Sequence, residues 1–467
     1  MTAPNEVRPV IVGAGPAGVR AAQALVAHGL RPVVIDEAPR AGGQIYRRPP
    51  ARLAQRTART LYGFESKRAD AVHAAFDALR GSIEHHPDSL AWNAQDKVLD
   101  VMHNPTLGNR RVPYSHLIVA TGATDRVLPV PGWTLPGVYT LGGAQVALKF
   151  QGCAIGRRVV FMGTGPLLYL VAYQYAKAGV DVAAVLDTAR LADQIAAAPA
   201  MLAQPAVLAK GMYYVGWLRA HGIALHGGVR PLRVLGDEQQ GRVTGVAWLD
   251  GETERTIDCD AVGFGYALRS ETQLADLLGC RFDYAPLHRA HLPVRDAAGR
   301  SSVDGVYLAG DGAGIMGADA AEWAGERAAL ALLQDAGIAI DTARASVLER
   351  KLDKLAGFRQ GLERAFPVPQ NWAENASDDL VICRCENVTA GSLRQIIAST
   401  GADEMNRLKA LSRVGMGRCQ GRMCGAAAAE ILAHATRQPL QQVGRLRGQA
   451  PIKPIPIRLV PVEGSGA

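Results

Sequence analysis

No run of roughly 20 apolar residues, the length a membrane-spanning helix needs, occurs in these 467 residues. The longest weakly polar stretch, IAAAPAMLAQPAVLA at 195–209, is broken by prolines and by Gln204. The opening MTAPNEVRPVIVGAG has no charged segment leading into an apolar one, so no secretory signal is legible. A soluble, cytoplasmic protein is expected. Blocks of five like charges are absent too, and the net charge of +8, from 51 basic and 43 acidic residues, is modest for the length. That excludes a dedicated nucleic-acid binder. Before residue 383 no two cysteines stand close: Cys153, Cys259 and Cys280 are isolated. The other four of the seven, Cys383, Cys385, Cys419 and Cys424, crowd into one short segment, a pattern of metal ligation in a reduced compartment rather than a disulfide framework.

What is abundant is glycine, 51 residues against a typical share of ~7%, in a chain long enough for about three domains. The surplus is local. An apolar run Pro9 to Val12 leads into Gly13-Ala-Gly15-Pro16-Ala17-Gly18, then an alanine-rich helical stretch to His28, then a second apolar run ending at Asp36. A dinucleotide site uses this order: the first glycine turns tightly, the second admits a pyrophosphate, and the third lets helix and strand pack closely. The helix N-terminus faces the phosphates. Asp36, or Glu37 beside it, is placed for a ribose, with strand length favouring Asp36.

The pattern recurs at 157–187, where Gly163 and Gly165 are present, the third position is Leu168, and Asp187 closes the second strand. A leucine there leaves two readings open: NAD(H) or another adenine nucleotide, with Asp187 favouring a free 2'-hydroxyl, or a fold retained empty. Two more strands end in glycine turns, at Thr121-Gly122 and at Gly310-Asp311. Asp311 reads either as a ribityl partner or as a helix cap.

Gly13 to Gly18, Asp36, Gly42-Gly43-Gln44, Ala120-Thr121-Gly122 and Gly310-Asp311 together resemble the two-dinucleotide-domain flavoproteins, the pyridine-nucleotide disulfide reductase superfamily in its broad sense. The resemblance implies FAD on a discontinuous domain, 1–140 with 290–335, and a second dinucleotide domain inserted at 141–289. It also makes Gly43, Gln44, Thr121, Gly122, Gly310 and Asp311 part of the FAD site. Lacking a redox cysteine pair in these domains, the chain is not expected to reduce disulfides.

The four clustered cysteines are spaced C-x-C, 33 residues, then C-x4-C. On count alone four thiolates suit zinc or an iron-sulfur cluster equally, though the C-x-C arm is less typical of zinc. Helices are expected after Thr389, over LKALSRVG, and after Cys424, with Arg384, Arg413, Arg418 and Arg422 nearby. The segment 379–438 resembles the bacterioferritin-associated-ferredoxin-like 2Fe-2S module. LKALSRVGMGRCQGRMCG and VVIDEAPRAGGQIYRRP are similar to the FAD-containing alpha subunits of hetero-oligomeric amino-acid dehydrogenases, of the opine oxidase, hydroxyproline dehydrogenase and hydrogen cyanide synthase type. That resemblance implies a 2Fe-2S cluster on the four cysteines, and a partner flavoprotein beta subunit that carries the substrate site. A downstream electron acceptor, one further small subunit, and an FMN at a subunit interface belong to the same implication, with no residue here marking the FMN.

The expected fold class is α/β: two Rossmann-like domains, a helical linker at 336–378, the small helical cysteine module, and an extended Pro-rich tail at 439–467 acting as a strap or subunit contact. The expected function is electron transfer within a dye-linked dehydrogenase acting on C–N bonds. Two alternatives stand beside it: a self-contained NAD(P)H-dependent ferredoxin-type reductase, and a flavoprotein with a structural zinc or iron-sensing docking module. No constellation that would orient a substrate is legible.

Overall fold

Short β-branched runs between glycine turns form strands buried on both faces, as parallel sheets covered by helices require. In the computed structural model, which describes residues 7–50, 58–237 and 241–456, they assemble into two five-stranded parallel sheets that share the order of four strands and differ in the edge strand, the last in the chain in the first sheet and the first in the second. The first runs Val306–Leu308, His116–Val119, Pro9–Val12, Val33–Ile35, Glu84–His86. The second runs Val138–Thr140, Ala261–Tyr266, Arg158–Thr164, Asp181–Asp187, Ala224–Gly227. In each, the first strand of the glycine motif is central, and the crossover helix, Pro16–Ala27 or Pro166–Lys177, starts with proline at its first turn.

Two boundaries differ from expectation. Val138–Thr140 pairs with Ala261–Tyr266, so the second sheet takes its edge strand from before residue 141. Leu274, Ala275 and Cys280, which precede 290, share a core with Val10, Val33 and Leu117 of the first sheet. The physical reason is the antiparallel pair Ala123–Asp125 with Leu268–Ser270, which carries the chain out of the first domain and back.

The linker is a helix over Thr342–Ala365, followed by a turn-rich stretch whose Trp372 Nε1 donates to the Pro129 carbonyl at 2.8 Å. The cysteine module holds helices Ala390–Thr400, Met405–Ser412 and Gly425–Thr436. Thr389 caps the first, its Oγ1 accepting from Ser392 N–H at 3.2 Å. The tail, expected to be extended from 439, instead opens with a short helix, Leu440–Val443, started by Pro439, and beyond it lies across the fold as far as it is described. Arg445 forks onto Asp276 with two 2.7 Å bonds, Ile452 N–H donates to the Trp92 carbonyl, and Lys453 pairs with Glu37. Residues 457–467 of the expected tail lie outside the described residues. Among the described residues no helix is long and apolar enough to cross a membrane.

Candidate functional site

The first glycine turn is made of close approaches that no side chain tolerates. A Cβ at Gly13 would fall 2.2 Å from the Ala120 carbonyl oxygen, and one at Gly18 would fall 1.7 Å from the Gly13 oxygen. The helix therefore seats directly on the strand end. Around this turn the other predicted residues gather. A Cβ at Gly43 would meet the Gly15 Cα at 2.9 Å, one at Gly310 the Ala17 Cβ at 3.0 Å, and one at Gly312 the Thr121 Oγ1 at 2.8 Å. Four turns from distant parts of the chain thus enclose a cradle bare of side chains, which fits the pyrophosphate and ribityl chain of FAD.

Asp36 Oδ1 accepts from Ala38 N–H at 2.6 Å, and its Oδ2 from Ala14 N–H inside the glycine turn. Burial pushes this carboxyl up, against the pull of those two N–H groups. Glu37 points away, exposed, to Lys453. Gln44 is exposed and accepts from Arg47 at 2.7 Å. Asp311 Oδ1 accepts from Met316 N–H at 2.8 Å and Gly317 N–H at 3.0 Å, fixing the turn that leads into helix Ala318–Asp335.

The second turn copies the first up to the acid. A Cβ at Gly163 would sit 1.8 Å from the Gly265 oxygen. Asp187 Oδ1 accepts from Ala189 N–H at 2.8 Å, the same step of two residues as Asp36 to Ala38. The other oxygen accepts from the Tyr169 hydroxyl at 2.8 Å instead of from the turn. Asp187 has no exposed surface, and burial pushes its carboxyl up to about 6. Leu168 is wholly buried in the core beside Val171 and Ala172. Phe366, just beyond the linker helix, lies 6.4 Å from the Tyr169 ring. The acid that would meet a ribose is sealed by the chain's own tyrosine.

In the cysteine module, Cys383 and Cys419 are drawn down, to about 6 and about 5, first by the Cys424 thiol beside both. Backbone N–H groups of Gly415, Glu386 and Cys385 add to this at Cys383, and those of Met423 and Gly421 at Cys419. Cys424 itself is pushed up by the same two neighbours, and Cys385 is raised by burial. Among the described residues no group of three or more His, Cys, Asp or Glu side chains forms a ready single-ion site. The thiols approach pairwise instead, Cys424 beside Cys383 and Cys419, and Cys419 beside Cys385. Four thiolates turned together and met by backbone N–H groups suit an anionic iron-sulfur centre. Leu446 of the strap covers one side of the loop, where a Cβ at Gly415 or Gly421 would come within 2.7 or 2.6 Å of its Cδ1.

The residues that sequence reasoning missed join the two sites. Ser270 Oγ accepts from Gly314 N–H at 3.1 Å, and Thr121 Oγ1 donates to the Glu271 carbonyl at 2.6 Å. These contacts fix the glycine cradle. One residue on, the Glu271 carboxylate accepts from Arg422 at 2.6 and 3.1 Å, while Arg269 Nη1 donates to the carbonyls of Gly421 and Arg422 at 3.3 and 3.1 Å. Gln273 Nε2 donates to the Gln420 carbonyl at 2.6 Å. Burial opposes ionisation of Glu271, yet Arg422 and then Arg269 hold its carboxyl below the usual range. The stretch 269–273 therefore touches the cradle on one side and the cysteine loop on the other.

Residues 7–325 match the family model described as pyridine nucleotide-disulphide oxidoreductase, and residues 381–434 match the BFD-like [2Fe-2S] binding domain. The chain belongs to the pyridine nucleotide-disulphide oxidoreductase family. Membership of this flavoprotein family indicates FAD binding, and the C-terminal module is a BFD-like 2Fe-2S domain. The chain is 36% identical over 459 residues to an opine oxidase subunit of Agrobacterium tumefaciens (strain Ach5), covering 96% of this chain and 90% of that one. It is 37% identical over 467 residues to hydrogen cyanide synthase subunit HcnB of Pseudomonas aeruginosa, covering 96% and 97%. In fold it is similar to an L-proline dehydrogenase from P. horikoshii, with a TM-score of 0.71 at 19% identity over 97% of this chain and 78% of that one.

Proposed function

We propose that this chain is the electron-transferring alpha subunit of a hetero-oligomeric, dye-linked amino-acid dehydrogenase. A partner flavoprotein subunit oxidises the C–N bond of an opine, D-hydroxyproline or a related secondary amine. The observation that carries this reading is the 269–273 bridge: the cradle and the cysteine loop share one short segment whose buried Glu271–Arg422 pair locks them at fixed separation. When bound, FAD exchanges electrons in pairs or singly and a 2Fe-2S cluster passes them one at a time, so their pairing suits a two-electron oxidation feeding a one-electron relay. Thr121, Asp311 and Asp36 orient the cofactor from three turns, while Arg269 places positive charge against the cysteine loop.

One exposed apolar surface supports a contact with that partner. The consecutive helices Leu191–Met201 and Pro205–Ala220, with the turn between them, expose Leu191, Ile195, Leu202, Val207, Met212 and Tyr213, with Phe64 packed beside Tyr213 at 5.0 Å. From 191 to 218 neither charged side chain is exposed: Asp193 pairs with Arg190, and Lys210 with Glu65. Each of these seven apolar side chains is more than a third exposed, the kind of surface that protein–protein contacts cover.

The test is purification of the complex from the native source, followed by reduction with a panel of secondary amino acids under anaerobic conditions. Flavin bleaching together with a cluster EPR signal, dependent on a copurifying flavoprotein, is the expected result. Bleaching by NADH with no partner chain would overturn the reading in favour of a self-contained reductase.

A further inference from the structure

The four arginines around the cysteines divide by what they touch. Arg422 turns inward onto Glu271, and Arg413 pairs with Glu386 at 2.8 Å. Arg384 and Arg418 are exposed and, among the described residues, pair with no carboxylate. They line a cleft of ≈ 530 Å³ together with Thr134, Val381, Cys385 and Asn387. Arg384 is steadied there by lying 5.5 Å above the Trp133 ring. Of the four ligand cysteines only Cys385 is exposed, while Cys383 and Cys424 are buried. On its other sides the cysteine loop is covered by Arg269 and Gln273 from within, and by Leu446 of the strap.

We propose that this cleft is the electron outlet, and that it docks an acidic protein carrying a one-electron centre. The inference rests on the electron-transfer reading above and names the acceptor for it. Two uncompensated guanidinium groups at the rim of a concave surface focus a positive field and speed the arrival of an acidic partner. The cleft is small and charged, as transient redox contacts are, whereas the surface of helices Leu191–Met201 and Pro205–Ala220 is mainly apolar, its Asp193 and Lys210 being ion-paired, as permanent contacts are. The two surfaces thus call for different partners. Oxidation of one C–N bond releases two electrons and two protons. The electrons leave singly, by way of Cys385, to two oxidised acceptor molecules that are each reduced by one electron, and the protons pass to solvent.

The test uses the native complex with its amino-acid substrate and two forms of one protein acceptor: basic cytochrome c, and cytochrome c made acidic by succinylation. A neutral short-chain quinone serves as the small acceptor. The acidic form should show a kcat/KM at least about tenfold above the basic form at low salt, with the advantage lost in high salt. Arg384→Glu with Arg418→Glu should remove that preference, and so, in smaller measure, should Thr134→Glu, which lies far in sequence from the cysteines. The EPR spectrum and quinone reduction should not change in any of these variants. If quinone is reduced but the acidic and basic forms react alike and the charge reversals change neither, the outlet is elsewhere. If substrate reduces no acceptor at all, the dehydrogenase reading itself fails.

Discussion

Replacing Asp187 with asparagine isolates the sealed acid of the second fold. In the folded chain this carboxyl has no exposed surface and ionises only at about 6, against 3.8 for an ordinary aspartate. The folded state thus holds the proton more tightly than the unfolded one. Below about pH 4 the group costs nothing; as pH rises through 4 to 6, stability is lost. At about 1.4 kcal/mol per pH unit over that interval, the loss reaches ~3 kcal/mol by pH 7. An asparagine keeps both contacts, its carbonyl accepting from Ala189 N–H and its amide donating to Tyr169 Oη, and carries no charge to desolvate. Asp187→Asn should therefore match the parent chain near pH 4 and exceed it by up to ~3 kcal/mol at pH 7.5. Calorimetric unfolding across that range reads this as a midpoint difference that opens between pH 4 and 6 and then stays constant. NADH binding should be absent from both chains. A variant destabilised at every pH, or a difference independent of pH, would refute the buried-carboxylate account. Tyr169→Phe is the complement: losing a hydrogen bond to a charged group, it should cost roughly 1.5–3 kcal/mol at pH 7.5 and much less at pH 4.

Gly18→Ala drives a Cβ into the Gly13 carbonyl, so flavin occupancy should fall at least about tenfold while the cluster EPR signal persists, and full flavin content would contradict the cradle. Glu271→Gln leaves Arg422 and Arg269 without their buried counter-charge, a loss of about 3–5 kcal/mol by urea unfolding, and the double variant with Arg422→Gln should cost less than the two single variants combined; strict additivity would deny the bridge. Ile195→Asp with Met212→Asp should release the partner subunit in size-exclusion chromatography without altering flavin or cluster content, and an unchanged complex would remove these two helices from the interface.

Both glycine turns were legible because the constraint is local: Gly13 and Gly163 stand where the neighbouring strand's carbonyl leaves no room for a Cβ, and the motif is written within six residues. The cysteine module was legible for a similar reason, its cysteines arriving as two short pairs. Tyr169 was not. It follows Leu168 in an apolar helix, and nothing in the run PLLYLV distinguishes a tyrosine packed in a core from one whose hydroxyl caps a carboxylate on the next strand. The bridge was hidden more deeply. Glu271 and Arg422 lie 151 residues apart, and Leu-Arg-Ser-Glu-Thr-Gln carries neither periodicity nor turn chemistry; only the folded chain shows that its residues reach the glycine cradle on one side and the cysteine loop on the other. The boundary at 141 failed because a single edge strand, Val138–Thr140, adds to the second sheet before any composition change announces it.

A fold that has sealed its own acid still has a structural use, and the packing shows which one. Val160, Met162, Leu186 and Trp248 of the second domain share a continuous core with Ile382, Leu393, Met405 and Ile431 of the cysteine module. Trp133 Nε1 donates to the Val381 carbonyl at 2.7 Å, two residues before Cys383, and the same ring lies under Arg384. The second sheet is thus the floor on which the cluster loop rests, while the 269–273 segment leaving that sheet's strand Ala261–Tyr266 sets the distance to the flavin cradle. Floor and bridge come from one stretch of chain, so loss of the floor should be felt at the cluster before it is felt at the flavin. Trp133→Ala removes a buried indole, a loss of about 3–5 kcal/mol, and should shift the cluster's EPR line shape while flavin occupancy holds. A variant that lost flavin and kept an unaltered cluster signal would show that the module stands on something other than the second fold.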